Sequence, residues 1–336
     1  AALQAYFTAR VQRLVAHHHK IMEGWDEVLQ PGTPKNVVIQ SWRGQKSLAQ
    51  AARQGNRGLL STGYYLDLNQ PASQHYMVDP LGGDAATLTP EEKSRILGGE
   101  AAEWTEFASA ENIDIRIWPR TAAIAERLWS PQQVRDVDSM YRRLAVVTRK
   151  LEAYGLNARA TTDVMLQRMS GNPDPVALRV LATAVQPPLG YDRSGRDVAT
   201  VFTPLNRLAD AVPAESVRAR EFHDVASTIA GGKGTPQQWQ QARKWLTKWR
   251  DNDAKLRPSL DDSSLTKELI PVSQRLRDTA TIGLAALDAL HSNDTMASDV
   301  RQHDMEALKS AEKQEATLMN VVAPSVELLV QAVRTQ

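Results

Sequence analysis

Four short segments in the first third of the chain place an aromatic ring close to a carboxylate or another polar group. They lie at residues 24–27, 40–44, 64–67 and 98–106. A pyranose ring has an apolar face that stacks on an indole, and its hydroxyl groups hydrogen-bond well to carboxylates. Three tryptophans and several acids, delivered by successive strands, therefore predict a carbohydrate-binding pocket.

Each of these segments follows a sequence that is typical of a short β-strand. The apolar and β-branched runs lie at 20–25, 36–42, 58–61 and 96–104, and helical patterns separate them. Alternation of short strands with helices indicates parallel βα units, and four such units make half of an eight-stranded (β/α)8 barrel. We expect residues 1–158 to form this half-barrel.

The strand ends locate the candidate site, because the active site of such a barrel lies at the C-terminal ends of its strands. The aromatic and acidic side chains at or just beyond the predicted strand ends are Trp25, Trp42, Tyr65, Asp67, Trp104 and Glu106. We take these six as the candidate site residues.

From about residue 160 the strand patterns give way to helical periodicity. This change predicts a second, all-α domain at 159–336, built as a helical bundle. Within it, Trp245 and Trp249 are four residues apart and share a helix face, whereas Trp239 is off that register. No acidic residues converge on these rings by spacing, so we interpret them as core or interface packing rather than a second sugar site.

The composition limits the kinds of molecule that the chain is expected to bind. The chain has 336 residues, a formal net charge of +1 and no cysteine. Near-neutral charge gives no reason to expect nucleic acid or an anionic membrane as partner, and no apolar run reaches membrane-spanning length. The lack of cysteine excludes disulfides and thiolate metal sites. The adjacent His17, His18 and His19 would point in different directions on a helix, so we predict a helix end rather than a metal site.

Taken in order, the four segments resemble the C-terminal half of the catalytic barrel of glycoside hydrolase family 20, the β-N-acetylhexosaminidases. Further matching segments lie at 116–120, 122–130, 140–144 and 151–156. The resemblance is close over residues 3–156 and looser through the helical part, for example at 203–208. One motif alone would carry little weight, but the ordered set is specific.

The resemblance implies exo-hydrolysis of terminal β-linked N-acetylglucosamine or N-acetylgalactosamine from glycans, with retention and without a metal or organic cofactor. In this family the substrate's own acetamido oxygen attacks the anomeric carbon. Tyr65 would stabilise the acetamido oxygen as charge develops. The matching substrate-binding positions are Trp25, Trp42 and Trp104 around the acetamido group, and Asp67 and Glu106 on the sugar hydroxyls. The resemblance favours a periplasmic or secreted enzyme.

The resemblance also places the family's catalytic aspartate–glutamate pair upstream of the segment that this chain matches, so we expect no general acid within it. The adjacent acids Asp26 and Glu27 match a different segment of the family. Neighbouring residues in an extended chain point to opposite faces, so these two are expected to begin a loop or helix, or to support the pocket from behind. Arg120, Glu126 and Arg127 are expected to form an ion-paired scaffold.

Three hypotheses follow. The first is one part of a hexosaminidase that is active only with the N-terminal half of the barrel, on the same polypeptide or a separate chain, since half a barrel exposes edge strands and an apolar interior. The alternative is a non-catalytic carbohydrate-binding or regulatory fragment, which would bind N-acetylglucosamine weakly without turnover. A third hypothesis treats the helical part as an oligomerisation module.

Overall fold

The computed structural model describes residues 2–193, 200, 202–261 and 265–335. It has a mixed α/β architecture with many helices and divides into two compact units. The first unit contains the chain up to Trp104 together with Ile117–Tyr154, and the second contains Thr105–Arg116 together with the chain from Gly155 onward. The segment Thr105–Arg116 thus belongs with the helices, an assignment that the sequence did not indicate.

A four-stranded parallel sheet organises the first unit. Its strands are β1 Glu23–Trp25, β2 Val38–Ser41, β3 Arg57–Leu60 and β4 Ile96–Gly99, and they lie side by side in chain order. Trp25 pairs with Gln40, and Ser41 pairs with Leu60, so the C-terminal ends of neighbouring strands are adjacent. Each strand lies within or beside the apolar run that predicted it but is shorter or displaced by a residue.

The first helix precedes the sheet, and the others lie between or after its strands. The helices that begin before residue 154 are α1 Ala2–His17, α2 Gln45–Arg53, α3 Ala72–Met77, α4 Pro90–Lys93, α5 Ile113–Ile117, α6 Arg120–Trp129 and α7 Val137–Ala153. Helix α1 ends at His17, so the histidine triplet lies at a helix end, as predicted. Helix α4 begins with a capping box, in which Thr89 accepts from the Glu92 N–H and the Glu92 carboxylate accepts from the Thr89 N–H.

Helix α2 packs closely on the sheet. Leu48 of α2 is fully buried and shares a core with Leu60 and Tyr64, while Ala51 packs with Ile39 of β2 and with Val37 just before it. A Cβ atom on Gly58 would lie 2.6 Å from Cδ1 of Leu48, so glycine permits this approach of α2 to β3. The small residues of α2 and β3 therefore set the helix-to-sheet distance.

The second unit is mainly helical. Its further helices are α8 Ala158–Ser170, α9 Val176–Ala182, α10 Leu208–Ala211, α11 Val217–Ala230, α12 Pro236–Arg250, α13 Asn252–Asp261, α14 Ile270–Ser292, α15 Ser298–Ala311 and α16 Ala323–Ala332. None of the helices in the described ranges combines the length and apolar character that membrane spanning requires.

Short strands also occur in the second unit, so the prediction of an all-α domain was wrong in this detail. They are β5 Val185–Gln186, β6 Thr295–Met296, β7 Met319–Asn320 and β8 Arg334–Thr335, where β5 pairs with β7 and β6 with β8. A two-residue strand is too short for side-chain alternation to be visible in a sequence.

The three tryptophans of α12 pack in or against the core of the second unit. Trp249 is only 2% exposed and meets Phe222 edge-on, with ring centroids 5.2 Å apart. Trp245 contacts the same phenylalanine at 6.2 Å, and Trp239 contacts His291 at 5.4 Å. The interpretation of these rings as core packing is confirmed.

Candidate functional site

Two of the predicted tryptophans contact each other. Trp25 is the last residue of β1, and Trp104 lies in the segment that follows β4, yet their ring centroids are 6.1 Å apart with an interplanar angle of 34°. Strands three positions apart in a flat sheet would be about 14 Å apart, so the segment that follows β4 brings Trp104 closer to Trp25 than the strand spacing alone would. Trp104 is 47% exposed, which leaves its ring available to a ligand.

The loop that carries Tyr65 and Asp67 runs beside the segment that leads to Trp104. Tyr65 pairs with Ala102 in a parallel bridge, and the N–H of Leu66 donates to the Ala102 carbonyl at 2.7 Å. The segments after β3 and β4 thus continue the sheet's pairing beyond the strands. Both predicted site residues of this loop are partly buried.

A buried arginine holds the same loop from its other side. Arg120 is 2% exposed and donates to the carbonyls of Leu66 and Gln70 at 2.9 and 3.0 Å. A planar guanidinium that spans two carbonyls fixes their separation, so Arg120 stabilises the turn that presents Tyr65 and Asp67.

Trp42 is held by the two acids that follow Trp25. Oδ2 of Asp26 accepts from the backbone N–H groups of Trp42 and Arg43 at 3.0 and 2.8 Å. Glu27 accepts from the indole N–H of Trp42 at 3.3 Å and forms an ion pair with Arg43 at 2.5 Å. The Arg43 guanidinium lies over the Trp42 ring, 5.1 Å from its centroid. Supporting the pocket was one of the roles that the sequence left open for Asp26 and Glu27.

Glu106 lies in the second unit. It occupies the 3-10 turn Thr105–Phe107, which begins directly after Trp104, and its side chain is exposed. The sequence placed Glu106 with the five other site residues, whereas those five belong to the first unit.

Two carboxylates of the first unit that are not among the six candidate site residues, Glu23 and Glu100, interact with each other. Both residues are exposed by surface area, yet partial desolvation raises the pKa of Glu23 above its ordinary range, and the Glu100 carboxylate raises it further by repulsion and a shared hydrogen bond. Glu23 and Trp25 are two residues apart in β1 and so face the same side of the sheet. This separation of two residues between Glu23 and Trp25 is the sequence feature that could have identified Glu23 as a candidate.

Of the residues expected in an ion-paired scaffold, Glu126 forms an ion pair, whereas the hydrogen bonds described for Arg120 and Arg127 go to backbone carbonyls. Its carboxylate pairs with Arg143 and accepts from the Tyr76 hydroxyl at 2.9 Å, and the hydrogen bond from Arg143 holds the pKa of Glu126 below its ordinary range. Arg127 donates to the backbone carbonyls of Val134, Ser130 and Pro131. Arg120 and Arg127 therefore serve the scaffold through hydrogen bonds to the backbone.

Within the described ranges, no group of three or more histidine and acidic side chains is arranged to hold a metal ion.

The segments beyond the strand ends offer aromatic ring faces and carboxylates, which are the groups that bind a sugar. Comparison with known proteins indicates the class of protein. Residues 1–132 match the catalytic domain of glycosyl hydrolase family 20. The match covers the part of the chain that contains the four-stranded sheet, and the similar proteins described next are β-hexosaminidases and a chitobiase.

Similar proteins cover different parts of the chain. The β-hexosaminidase subunit beta of Mus musculus is 33% identical over 169 residues, 47% of this chain and 30% of that protein. The β-hexosaminidase of Porphyromonas gingivalis is 30% identical over 174 residues, 46% of this chain and 22% of that protein. The crystal structure of the Flavobacterium johnsoniae chitobiase matches 98% of this chain with a TM-score of 0.87 and 31% identity. The chain spans 50% of that chitobiase.

Proposed function

We propose that this chain provides the acetamido-binding side of an exo-acting β-N-acetylhexosaminidase that releases terminal β-linked N-acetylglucosamine or N-acetylgalactosamine. The observation that carries the proposal is the contact between the Trp25 and Trp104 rings, whose centroids are 6.1 Å apart. The segment that leads to Trp104 also pairs with Tyr65, through Ala102. Relatives named β-hexosaminidase and chitobiase support this substrate class.

In the proposed reaction the acetamido oxygen of the substrate forms a bond to the anomeric carbon while the glycosidic C–O bond breaks. A carboxylic acid gives its proton to the departing oxygen, and an oxazolinium ion remains until water opens it. The Tyr65 hydroxyl donates a hydrogen bond to the acetamido oxygen and so holds this nucleophile in line with the anomeric carbon.

The remaining site residues orient the sugar. Trp25, Trp42 and Trp104 enclose the acetamido methyl and one sugar face, which places the nucleophilic oxygen near the anomeric carbon and excludes water. Carboxylates at Asp67 and Glu106 accept hydrogen bonds from sugar hydroxyls. No step in this scheme uses a metal or an organic cofactor.

We propose that the general acid and its neighbour lie outside these 336 residues, on the N-terminal half of the barrel. Within the chain the adjacent acids Asp26 and Glu27 are already engaged with Trp42 and Arg43. A carboxylate that is ion-paired with an arginine is poorly suited to deliver a proton. In this proposal the four parallel strands are the C-terminal half of a (β/α)8 barrel.

The exposed apolar residues of α1 support a further contact surface. Leu3, Phe7 and Leu14 are 80%, 65% and 56% exposed. They are unusually large apolar groups to leave in water on one helix, which is the expected finding where the other half of the barrel docks. That half would belong to the same polypeptide or to a separate chain.

A non-catalytic N-acetylglucosamine-binding fragment is the second candidate. The engagement of Asp26 and Glu27 favours it, since both acids then serve to hold Trp42 and neither performs acid catalysis.

The test is hydrolysis of an aryl N-acetyl-β-glucosaminide by the chain alone and after addition of a polypeptide that supplies the N-terminal half-barrel. We expect no turnover alone and turnover on mixing. Replacement of Tyr65 by Phe in the mixture should lower kcat by about 10²-fold, as misplacement of a reacting group does.

Two controls distinguish the candidates. Turnover by the chain alone that Glu27→Gln abolishes would contradict the assignment of the general acid. Absence of turnover in the mixture, with saturable quenching of tryptophan fluorescence by N-acetylglucosamine that Trp25→Phe removes, would establish the binding fragment instead.

A further inference from the structure

The segment Thr105–Arg116 interrupts the first unit in sequence but packs with the second. It starts directly after Trp104 and ends directly before Ile117, which are both residues of the first unit. It carries Glu106, an exposed residue on a short 3-10 turn. A turn of this kind does not fix an exposed side chain by itself, so its conformation depends on what anchors the rest of the segment.

The first anchor is to α10. Asn112 is fully buried and donates to the carbonyl of Asp210 at 3.2 Å, while its own oxygen accepts from the N–H of Ser109 at 2.7 Å. Arg116 is 3% exposed and donates to the carbonyls of Ala209 and Val212 at 2.6 and 3.4 Å. These donors satisfy carbonyls in and after a four-residue helix, which has few internal hydrogen bonds of its own.

A second anchor holds the turn that bears Glu106. The Arg193 guanidinium lies 4.1 Å from the ring centroid of Phe107, the residue after Glu106. Arg193 in turn forms an ion pair with Asp210 at 2.6 Å, and both of these side chains are buried. A buried cation that is fixed by a carboxylate is a rigid platform for an aromatic ring.

A third contact lies at the exposed side of the segment. Both carboxylate oxygens of Glu111 accept from Arg168 of α8, at 2.8 and 2.9 Å. This bidentate pair is partly exposed, so it adds less than the buried anchors do.

We infer that the helical unit is the positioning element for the segment Thr105–Arg116 and, through it, for Glu106. The inference rests on the proposed function for the part that concerns Glu106, since that residue is a sugar ligand only by the proposal above. It gives the helical unit an indirect role in substrate recognition, through the conformation of the segment that carries Glu106. Asn112, Arg116 and Arg193 are then positioning residues.

Hydrogen–deuterium exchange on the full chain tests the anchor. Asn112→Asp has the same shape and keeps the acceptor for Ser109, but it replaces the donor to Asp210 with an oxygen. We expect the amides of residues 105–110 to exchange at least about tenfold faster in this variant, because the segment opens locally. Glu111→Gln, which alters the exposed contact alone, should leave these rates within about twofold of the wild type.

Arg116→Lys provides a second variant in case a buried carboxylate at position 112 prevents folding. Lysine keeps the charge but loses the fork that spans two carbonyls, so the same amides should again exchange faster. Unchanged exchange of residues 105–110 in folded Asn112→Asp and Arg116→Lys would overturn the inference.

A double-mutant cycle tests the part that concerns Glu106. Glu106→Gln should weaken N-acetylglucosamine binding by about tenfold, as expected for loss of a charged hydrogen-bond acceptor. If Asn112 acts through Glu106, Asn112→Asp should weaken binding in the wild-type background and add little in the Glu106→Gln background. If the loss of affinity in the double variant equals the product of the losses in the two single variants, the link between Asn112 and Glu106 is overturned.

The outcomes separate this inference from the proposed function. A wild-type chain that fails to bind N-acetylglucosamine, alone or with the N-terminal half-barrel, contradicts the proposed function and the role of Glu106 together. The exchange rates still decide whether the helical unit positions the segment, since they are measured without ligand.

Discussion

Asp26 fixes the backbone of Trp42. Its Oδ2 atom accepts from the N–H of Trp42 at 3.0 Å and from the N–H of the next residue at 2.8 Å. The carboxylate is 7% exposed and follows Trp25 directly in sequence. One short segment, Trp25–Asp26, therefore supplies a candidate pocket ring and also orients the segment that carries the next one.

Replacement of Asp26 should be costly because the carboxylate is buried and serves two donors. Hydrogen bonds to charged groups contribute about 1.5–3 kcal/mol, so Asp26→Ala should lower the free energy of unfolding by at least that amount. Asp26→Asn retains one acceptor oxygen and should cost less. Urea denaturation of the wild type and the two variants measures the order of their free energies of unfolding. Equal stability of Asp26→Ala and the wild type would contradict the role of Asp26 in holding Trp42.

Glu27 should be dispensable for chemistry. Its ion pair with Arg43 is substantially exposed, with side-chain exposures of 37% and 56%, so Glu27→Gln should change stability by less than about 1 kcal/mol. In the reconstituted enzyme this variant should retain turnover within about tenfold, whereas loss of a true general acid costs about 10²- to 10⁴-fold. The measurement is kcat on an aryl N-acetyl-β-glucosaminide. A thousandfold loss would identify Glu27 as the acid.

His75 should make the chain less stable in acid. Its ring is fully buried, with Nδ1 2.7 Å from the Gly63 carbonyl, and burial lowers the pKa of His75 from 6.5 to about 4. Between pH 6.5 and 4 the unfolded chain binds a proton at this residue and the folded chain does not. Stability from this group is therefore complete above pH 6.5, falls as the pH decreases to 4, and is constant below that.

The expected loss from His75 is up to about 3 kcal/mol across that pH window, since each unit of pKa difference corresponds to about 1.4 kcal/mol. His75→Gln removes the titrating group, so its free energy of unfolding should change less between pH 6.5 and 4 than that of the wild type. Urea midpoints at several pH values give both curves. Parallel curves would show that His75 is not buried in its neutral form.

The strands and their ends could be predicted because they depend on local pattern. Val38 and Ile39 lie in a β-branched run, and the ring-bearing residues Trp25 and Trp42 stand where such runs stop. The start of α4 is also local in origin, because its capping box needs only a threonine three residues before a glutamate. These features need no knowledge of distant residues.

Other features could not be predicted because they depend on contacts far apart in sequence. Asn112 contacts the carbonyl of Asp210, 98 residues away, so nothing in the local sequence shows that Thr105–Arg116 belongs with the helices. The contact of Trp25 with Trp104 depends in the same way on how the four strands assemble. The role of Asp26 could not be predicted, because its partners are backbone N–H groups and nearly every residue has one.

Gly99 should tolerate no side chain. A Cβ atom there would lie 2.4 Å from Cε2 of Tyr64 and 3.0 Å from the Leu60 carbonyl oxygen. Tyr64 cannot easily move away, because it is fully buried and its hydroxyl donates to the Val78 carbonyl at 3.1 Å. Overpacking of this kind costs about 1–3 kcal/mol, which is the expected loss in the free energy of unfolding for Gly99→Ala.

A second substitution separates the steric effect of Gly99→Ala from a general loss of strand flexibility. Tyr64→Leu removes the ring that Gly99→Ala would strike, at the cost of a cavity and of the hydrogen bond to Val78. If the clash with the ring is the cause, the double variant should lose less stability than the sum of the two single variants. Additive losses in urea denaturation would place the cost of Gly99→Ala in the backbone, at the contact with Leu60.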